Sequence, residues 1–225
     1  MKSDGSASGR AGRLPNIDRG MAAQLVRRRE ILAQGALPIG WKIGFNVPEI
    51  QAKLGIDRPL AGFLTSDALL EHGATWSLGD NGEVLVESEV AVEVGDDGRS
   101  IVALLPALEL TDPPDLSLEL EQILAGDIFN RAVAFGPRVE TTEPGDARIL
   151  VNGDLQHEIE AANAGAQLEE MVGVVAERLA EAREALQPGD RIITGVLAPP
   201  HKADPGDRVR LELDSIGAVE LGFSE

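Results

Sequence analysis

The stretch VLVESEVAVEV, residues 84–94, sets Glu87 and Glu89 two positions apart in a run dominated by valine. Residues two apart in a strand point to one face, so Glu83, Glu87, Glu89 and Glu93 share one face while Val84, Val86, Val90, Val92 and Val94 share the other. Two readings fit. The glutamates are the wet side of an antiparallel strand, or they belong to a site for a hard cation, which prefers carboxylate oxygens. Glu109 bears on the choice, because it is the only charge in IVALLPALEL (101–110). A carboxylate in such surroundings is costly unless it is paired, hydrogen-bonded or bound to a cation. Lys42, in GWKIGF, is also a lone charge among apolar and glycine neighbours. Its stem can pack on the surface with the amine in water, or its charge can balance the carboxylates.

Other chemistries find little support. The chain has no cysteine, which excludes disulfides and thiolate chemistry. His72, His157 and His201 have no mutual spacing that suggests metal ligation or a triad. There is no phosphate-cradling glycine loop, and nothing points to a nicotinamide, flavin or pyridoxal cofactor. A net charge of −18 argues against nucleic acid as a partner. No apolar run approaches the roughly 18 residues of a membrane helix. The opening MKSDGSASGRAGRLPN is basic but lacks an apolar core, so it reads as a flexible lead and not a signal peptide, and a cytoplasmic location is expected.

The elements that must position these residues alternate irregularly. GMAAQLVRRREILAQ (20–34) has a helical stripe ended by Gly35, and residues 37–45 read as a strand. Pro48 and Gly55 bracket a short helix. FLTSDALL reads as extended, and the long strand 83–94 is closed by GDDG. TDPPD breaks the chain before a short helix in SLELEQILAG. Strands follow in RAVAFG and ARILVNG, the latter turning at Asn152-Gly153 into QHEIEAAN. Leu168, Met171, Val172, Val175, Leu179, Ala182 and Leu186 mark a helix over 167–186. RIITGVL and the hairpin VRLELDSIGAVELGF complete the chain. This mixture without regular βαβ alternation predicts an α+β fold built on a mixed or antiparallel sheet.

The stretch GWKIGFNVPEIQAKLGIDRPLAG resembles the 2-keto-4-pentenoate hydratase family of the fumarylacetoacetate hydrolase superfamily, as do VESEVAV, LPALEL, PGDRIITGVLAPP and the closing PGDRVRLELDSIGAVELGF. The resemblance spans about residues 20–224. It implies a fumarylacetoacetate hydrolase-like mixed β-sheet roll with flanking helices, divided as a lead (1–16), an N-terminal helical arm (17–60) and a catalytic core (61–225). By the same resemblance Glu87, Glu89 and Glu109 hold Mg²⁺ or Mn²⁺. Lys42 and Asp67 transfer protons, and Lys42 and Thr194 bind substrate. The implied reaction is hydration of a 2-hydroxy-2,4-dienoate to a 4-hydroxy-2-oxo acid, in aromatic catabolism, by a homo-oligomer. The alternatives are a decarboxylase of an unsaturated 2-oxo dicarboxylate, an acylpyruvate-type carbon–carbon hydrolase, and a non-catalytic binder of metal and 2-oxo acid. Asp127 and Asn130, in GDIFNRAVAFG, receive no role.

Overall fold

The computed structural model describes residues 15–160 and 164–225. All but the end of the expected lead lies outside the described residues. Helix α1 (Pro15–Ala33) is followed by β1 (Pro38–Gly44), α2 (Pro48–Leu54) and β2 (Leu60–Thr65). A 3₁₀ turn (Ser66–Ala68) then leads to β3 (Leu69–Leu70), β4 (Thr75–Ser77) and the single turn α3 (Leu78–Asn81). The long strands β5 (Leu85–Val94) and β6 (Ile101–Thr111) precede α4 (Leu120–Ala125), β7 (Asn130–Phe135), β8 (Ala147–Val151) and β9 (Asp154–Ile159). Helix α5 (Ala164–Glu181), β10 (Arg191–Val196), β11 (His201–Lys202), β12 (Arg208–Leu213) and β13 (Gly217–Ser224) close the chain.

The strands form two sheets. The first has the order β2-β1-β10-β5-β6-β7-β3, with β11 paired to β5; β1–β10 and β3–β7 are parallel and the other pairs antiparallel. The second has the order β4-β13-β12-β8-β9. This is the expected α+β class, a mixed-sheet roll with flanking helices. Strand β1, which the sequence reading places in the N-terminal arm, lies inside the first sheet between β2 and β10.

Alternation along β5 and β6 sends one set of side chains into the main core. Val86, Val90, Val92, Leu104, Leu108 and Leu110 pack there with the second sheet and with α5, through Val172, Val175 and Leu179. The other set faces a separate apolar cluster of Leu64, Ala91, Leu105, Ala107, Val133, Phe135 and Ile193. Both faces of this sheet are therefore dry. The face bearing the glutamates is the inside of a curled sheet, not a solvated surface.

Two helix boundaries differ from the periodicity. Helix α1 begins at Pro15, with the Asn16 side chain accepting a hydrogen bond from the Ile17 amide at 3.1 Å. The extra turn buries Ile17 and Met21 against Leu120, Ile123 and Leu124 of α4. Helix α5 ends at Glu181, short of 186: Arg183 takes a left-handed φ of 64° and the Glu184 amide bonds back to the Leu179 carbonyl at 2.8 Å. Leu186 still reaches the core beyond this turn. The turn at Asn152-Gly153 forms as expected, with φ of 56° and 87°, the values a two-residue hairpin demands. No helix among the described residues is long and apolar enough to cross a membrane.

Candidate metal centre

Glu87 and Glu109 are direct cross-strand partners on β5 and β6, and Glu89 lies two residues along β5 on the same face. One carboxylate oxygen from each of the three lies within 4.8 Å of the others. Glu89 and Glu109 are 0% exposed, and Lys42 is 2% exposed. Lys42 sits on β1, three strand spacings from β6, about 14 Å if the sheet were flat. Its ammonium nevertheless donates to Glu109 Oε1 and to the Ile128 carbonyl, at 3.1 Å for the latter. Concave curling of the sheet brings the two ends together.

Each carboxylate is oriented by a neutral donor. Thr111 Oγ1 donates to Glu87 Oε1 at 3.2 Å, the Gly195 amide to Glu89 Oε2 at 2.6 Å, and Asn130 Nδ2 to Glu109 Oε1 at 2.8 Å. The Gly195 amide is free to do so because β10 bulges between Ile193 and Val196, breaking its ladder with β5. Gly195 has φ of 98°, and a Cβ there would lie 2.4 Å from Asn46 Nδ2. Gly62 serves Lys42 in a similar way, since a Cβ there would lie 2.7 Å from Lys42 Cγ and 2.8 Å from Asp127 Oδ1.

Within the carboxylate cluster two buried oxygens remain without a hydrogen-bond partner among the described residues, Glu89 Oε1 and Glu109 Oε2. Leaving one buried acceptor unsatisfied costs about 1–3 kcal/mol, more when it is charged. Orphaned carboxylate oxygens, each on a side chain held by an outer hydrogen bond, are what ligation of a hard cation requires. The residues present fit a divalent ion.

The electrostatics say the same. Burial holds the Glu89 carboxyl well above the usual carboxylate range, with Glu109 and Glu87 adding to the effect against the Gly195 amide and Lys42. Burial also pushes Glu109 up, to about 7, with Lys42 opposing and Glu87 reinforcing. Asp127 is pushed up to about 8 by burial, offset in part by Lys42 and by the Phe63 amide. Burial alone would lower Lys42, but Glu109, Glu87 and Asp127 outweigh it and hold its pKa above the ordinary value. Lys42 is thus held as the ammonium cation.

A pH dependence follows for the metal-free protein. Glu109 and Asp127 bind protons more tightly folded than unfolded, so their contribution is fully present below the unfolded carboxylate range and is lost as pH rises through about 7 and 8. In EDTA, stability is expected to fall by a few kcal/mol between pH 5 and 8.5. With a divalent cation the trend should weaken or reverse, because the ion competes with protons for the same oxygens. Thermal unfolding across that range, with and without EDTA, checks both.

Two residues assigned to the site by resemblance are placed elsewhere. Asp67 is exposed on the 3₁₀ turn after β2. That turn lies beyond the Pro38–Thr65 pairing, whereas the site gathers around the Lys42–Gly62 pairing, so Asp67 points to water at the other end. Thr194 is 8% exposed, but its hydroxyl donates to the Val90 carbonyl at 2.8 Å, which ties down the bulge and leaves the adjacent Gly195 to serve the site.

The structure brings in the segment Asp127–Asn130 instead. Asp127, Ile128 and Phe129 have successive left-handed φ values of 63°, 51° and 62°. Bulky residues rarely adopt this conformation, and when they do it is held by surrounding contacts, often at functional sites. Asp127 accepts from the Phe63 amide at 2.8 Å, the Ile128 carbonyl takes Lys42, and Asn130 orients Glu109. Glu87 and Lys42 line a cleft of about 240 Å³, with Glu89 and Glu109 buried behind them, and Phe129 forms part of its wall.

Comparison with known proteins identifies the family and the fold. The family described as fumarylacetoacetate (FAA) hydrolase C-terminal matches residues 41–223. A curated relative, 2-keto-4-pentenoate hydratase 1 of Dechloromonas aromatica (strain RCB), is 26% identical over 227 aligned positions, covering 92% of this chain and 86% of the relative. A 4-oxalocrotonate decarboxylase of a Pseudomonas species is 24% identical, covering 84% of this chain and 80% of its own. Among solved structures, 4-oxalocrotonate decarboxylase from Pseudomonas putida G7, complexed with calcium and acetate, superposes with a TM-score of 0.80 at 20% identity, covering 91% of this chain and 84% of that one. With the match running from the strand that carries Lys42 through the last strand of the second sheet, the chain belongs to the fumarylacetoacetate hydrolase family.

Proposed function

We propose that this protein is a metal-dependent hydratase that converts a 2-hydroxy-2,4-dienoate to a 4-hydroxy-2-oxo acid. The observation that carries the reading is the pair of partnerless oxygens, Glu89 Oε1 and Glu109 Oε2, buried with Glu87 beside a charged Lys42 at a small cleft. The relatives named as hydratases, aligned over most of their length, support it.

Glu87, Glu89 and Glu109 would hold the divalent cation, Mg²⁺ or Mn²⁺. When bound, such an ion supplies Lewis acidity to the adjacent keto and carboxylate oxygens of a 2-oxo acid. The chain does the rest. An ammonium has three N–H donors, and Lys42 spends two on Glu109 and Ile128. The third is left for the substrate oxygen at C2, where it can stabilise or neutralise developing negative charge. In the balanced reaction the C2 hydroxyl loses its proton and C5 gains one, giving a 2-oxo-3-enoate. Water then adds OH at C4 and H at C3. With Asp67 at the far end of β2, Lys42 is the proton-bearing group at the cleft. Thr111, Asn130 and the Gly195 amide act by orienting the carboxylates. A cytoplasmic homo-oligomer with the lead, arm and core division belongs to the same proposal.

The test is incubation with 2-hydroxypenta-2,4-dienoate and Mg²⁺ or Mn²⁺, following loss of dienol absorbance and identifying the product by NMR. Formation of 4-hydroxy-2-oxopentanoate that stops in EDTA is expected. Carbon dioxide release from an unsaturated 2-oxo dicarboxylate, without hydration of the dienoate, would replace the hydratase reading by the decarboxylase one.

A further inference from the structure

Much of the cleft lining is apolar. Phe45, Val47, Ile50, Leu116, Phe129 and Val196 line it. Phe45 and Phe129 meet edge to face, with ring centroids 6.5 Å apart and planes at 82°. Both are phenylalanines in the left-handed region, with φ of 60° and 62°. Each is fixed there through its own carbonyl: Gln51 Nε2 donates to the Phe45 carbonyl at 2.8 Å, and the Asp112 amide to the Phe129 carbonyl at 2.9 Å. A core would be filled as well by phenylalanines on relaxed backbone. Two neighbouring rings held this way at a cleft wall point to a ligand surface.

The cleft lining carries one cation and two anions, Lys42, Glu87 and Asp112. Lys42 is the only cation among its lining residues, and Lys42 is engaged by Glu109 at the carboxylate end. The other charged residue besides Glu87 is Asp112. Arg131 pairs with Asp112 at 2.6 Å and leans over the Trp76 ring at 5.9 Å, and is not itself part of the lining. A second carboxylate at the far end of a substrate would lose its water against two phenylalanine rings, and apart from Lys42 the described lining offers no cation to receive it.

We infer that Phe45 and Phe129 form a specificity subsite for an uncharged hydrocarbon substituent at the end of the substrate remote from its 2-oxo acid group, so that monocarboxylates are selected over dicarboxylates. This rests on the 2-oxo acid reading of the metal centre. A cleft of about 240 Å³ has room for a small substrate with a short alkyl substituent.

Calorimetric titration of the Mg²⁺-loaded protein with pyruvate, 2-oxohexanoate and 2-oxoadipate tests it without turnover. Each methylene buried is worth roughly fourfold in affinity, so 2-oxohexanoate is expected to bind at least tenfold tighter than pyruvate, and 2-oxoadipate more weakly than 2-oxohexanoate by at least tenfold. Phe129→Ala should erase the gain of 2-oxohexanoate over pyruvate, read as the ratio of the two affinities within the variant. Leu116→Arg, on the connection between β6 and α4, should raise 2-oxoadipate affinity and provides a second variant should Phe129→Ala fail to fold. Equal or tighter binding of 2-oxoadipate by the unaltered protein overturns the subsite alone. Binding of none of the three acids, with Mg²⁺ still bound, removes the 2-oxo acid reading and the subsite with it.

Discussion

Glu109→Gln is expected to abolish the stabilisation that a divalent cation and oxalate give the unaltered protein. Oxalate presents two adjacent oxygens, as the carboxylate and keto oxygens of a 2-oxo acid do. At about 100 times its dissociation constant, a ligand that binds only the folded state contributes about 2.7 kcal/mol. For a chain of this size that corresponds to a rise in melting temperature of roughly 5–10 °C. Glutamine keeps the shape of Glu109 and can still face Asn130 and Lys42, so the variant should fold and unfold at a similar temperature in EDTA. What it loses is an anionic oxygen in a set of three, and one of the two carboxylate oxygens of the cluster that have no hydrogen-bond partner among the described residues. Thermal unfolding in EDTA, in Mg²⁺ or Mn²⁺, and in metal with oxalate separates the outcomes. A full shift retained in Glu109→Gln would exclude Glu109 as a ligand. A shift in neither protein would mean that the buried carboxylates are satisfied in some other way.

The same cluster marks how far the sequence could be read. Period-two alternation correctly groups Glu87 and Glu89 on one face of β5, because alternation follows from strand geometry alone. It says nothing about what covers that face. Ala91, Ala107 and Leu105 on the inner face hint that it is dry, but that Ile193 and Val133 stand beside Ala91 and Glu109, and that Leu64 of β2 joins the same cluster, depends on strand order and tertiary packing. Glu109 carries a local signal as a lone charge among apolar residues. Asn130 and Thr111 carry none, since a polar residue at a strand end is ordinary. The turn at 127–129 was also illegible: left-handed backbone is normally announced by glycine or asparagine, and here Asp127, Ile128 and Phe129 adopt it under tertiary constraint. Asp67 shows the opposite failure. Its place in the order of motifs suits a proton-transfer role, but order along a strand does not say toward which end of the sheet a residue lies, and the pairing of Thr65 with Pro38 carries it away.

Lys42→Met should leave a folded, cation-binding protein with turnover of the dienoate reduced by about 10²–10⁴. Removing one partner of a buried ion pair commonly costs about 3–5 kcal/mol, because the other charge is stranded. Here the stranded group has an escape: Glu109 already titrates near 7 and can take a proton in the metal-free state. The stability loss should therefore be modest below pH 7, larger above it, and small again when a divalent cation supplies the missing positive charge. Without the ammonium, Glu109 binds its proton more tightly, so half-saturation by Mg²⁺ should require a higher pH than in the unaltered protein. Lys42→Arg should not restore turnover. Gly62 lies against the lysine stem with no room for even one added carbon, and Asp127 borders the same space, so a branched planar guanidinium cannot lie along the path of the slim ammonium. Steady-state kinetics in saturating Mg²⁺, together with metal titration at two pH values, distinguish the roles. Near-normal turnover in Lys42→Met would reduce Lys42 to charge balance and leave the proton transfer without a donor from this chain. A loss of turnover with metal binding intact is the outcome expected of a lysine that acts on the substrate at the cleft and not only as charge balance.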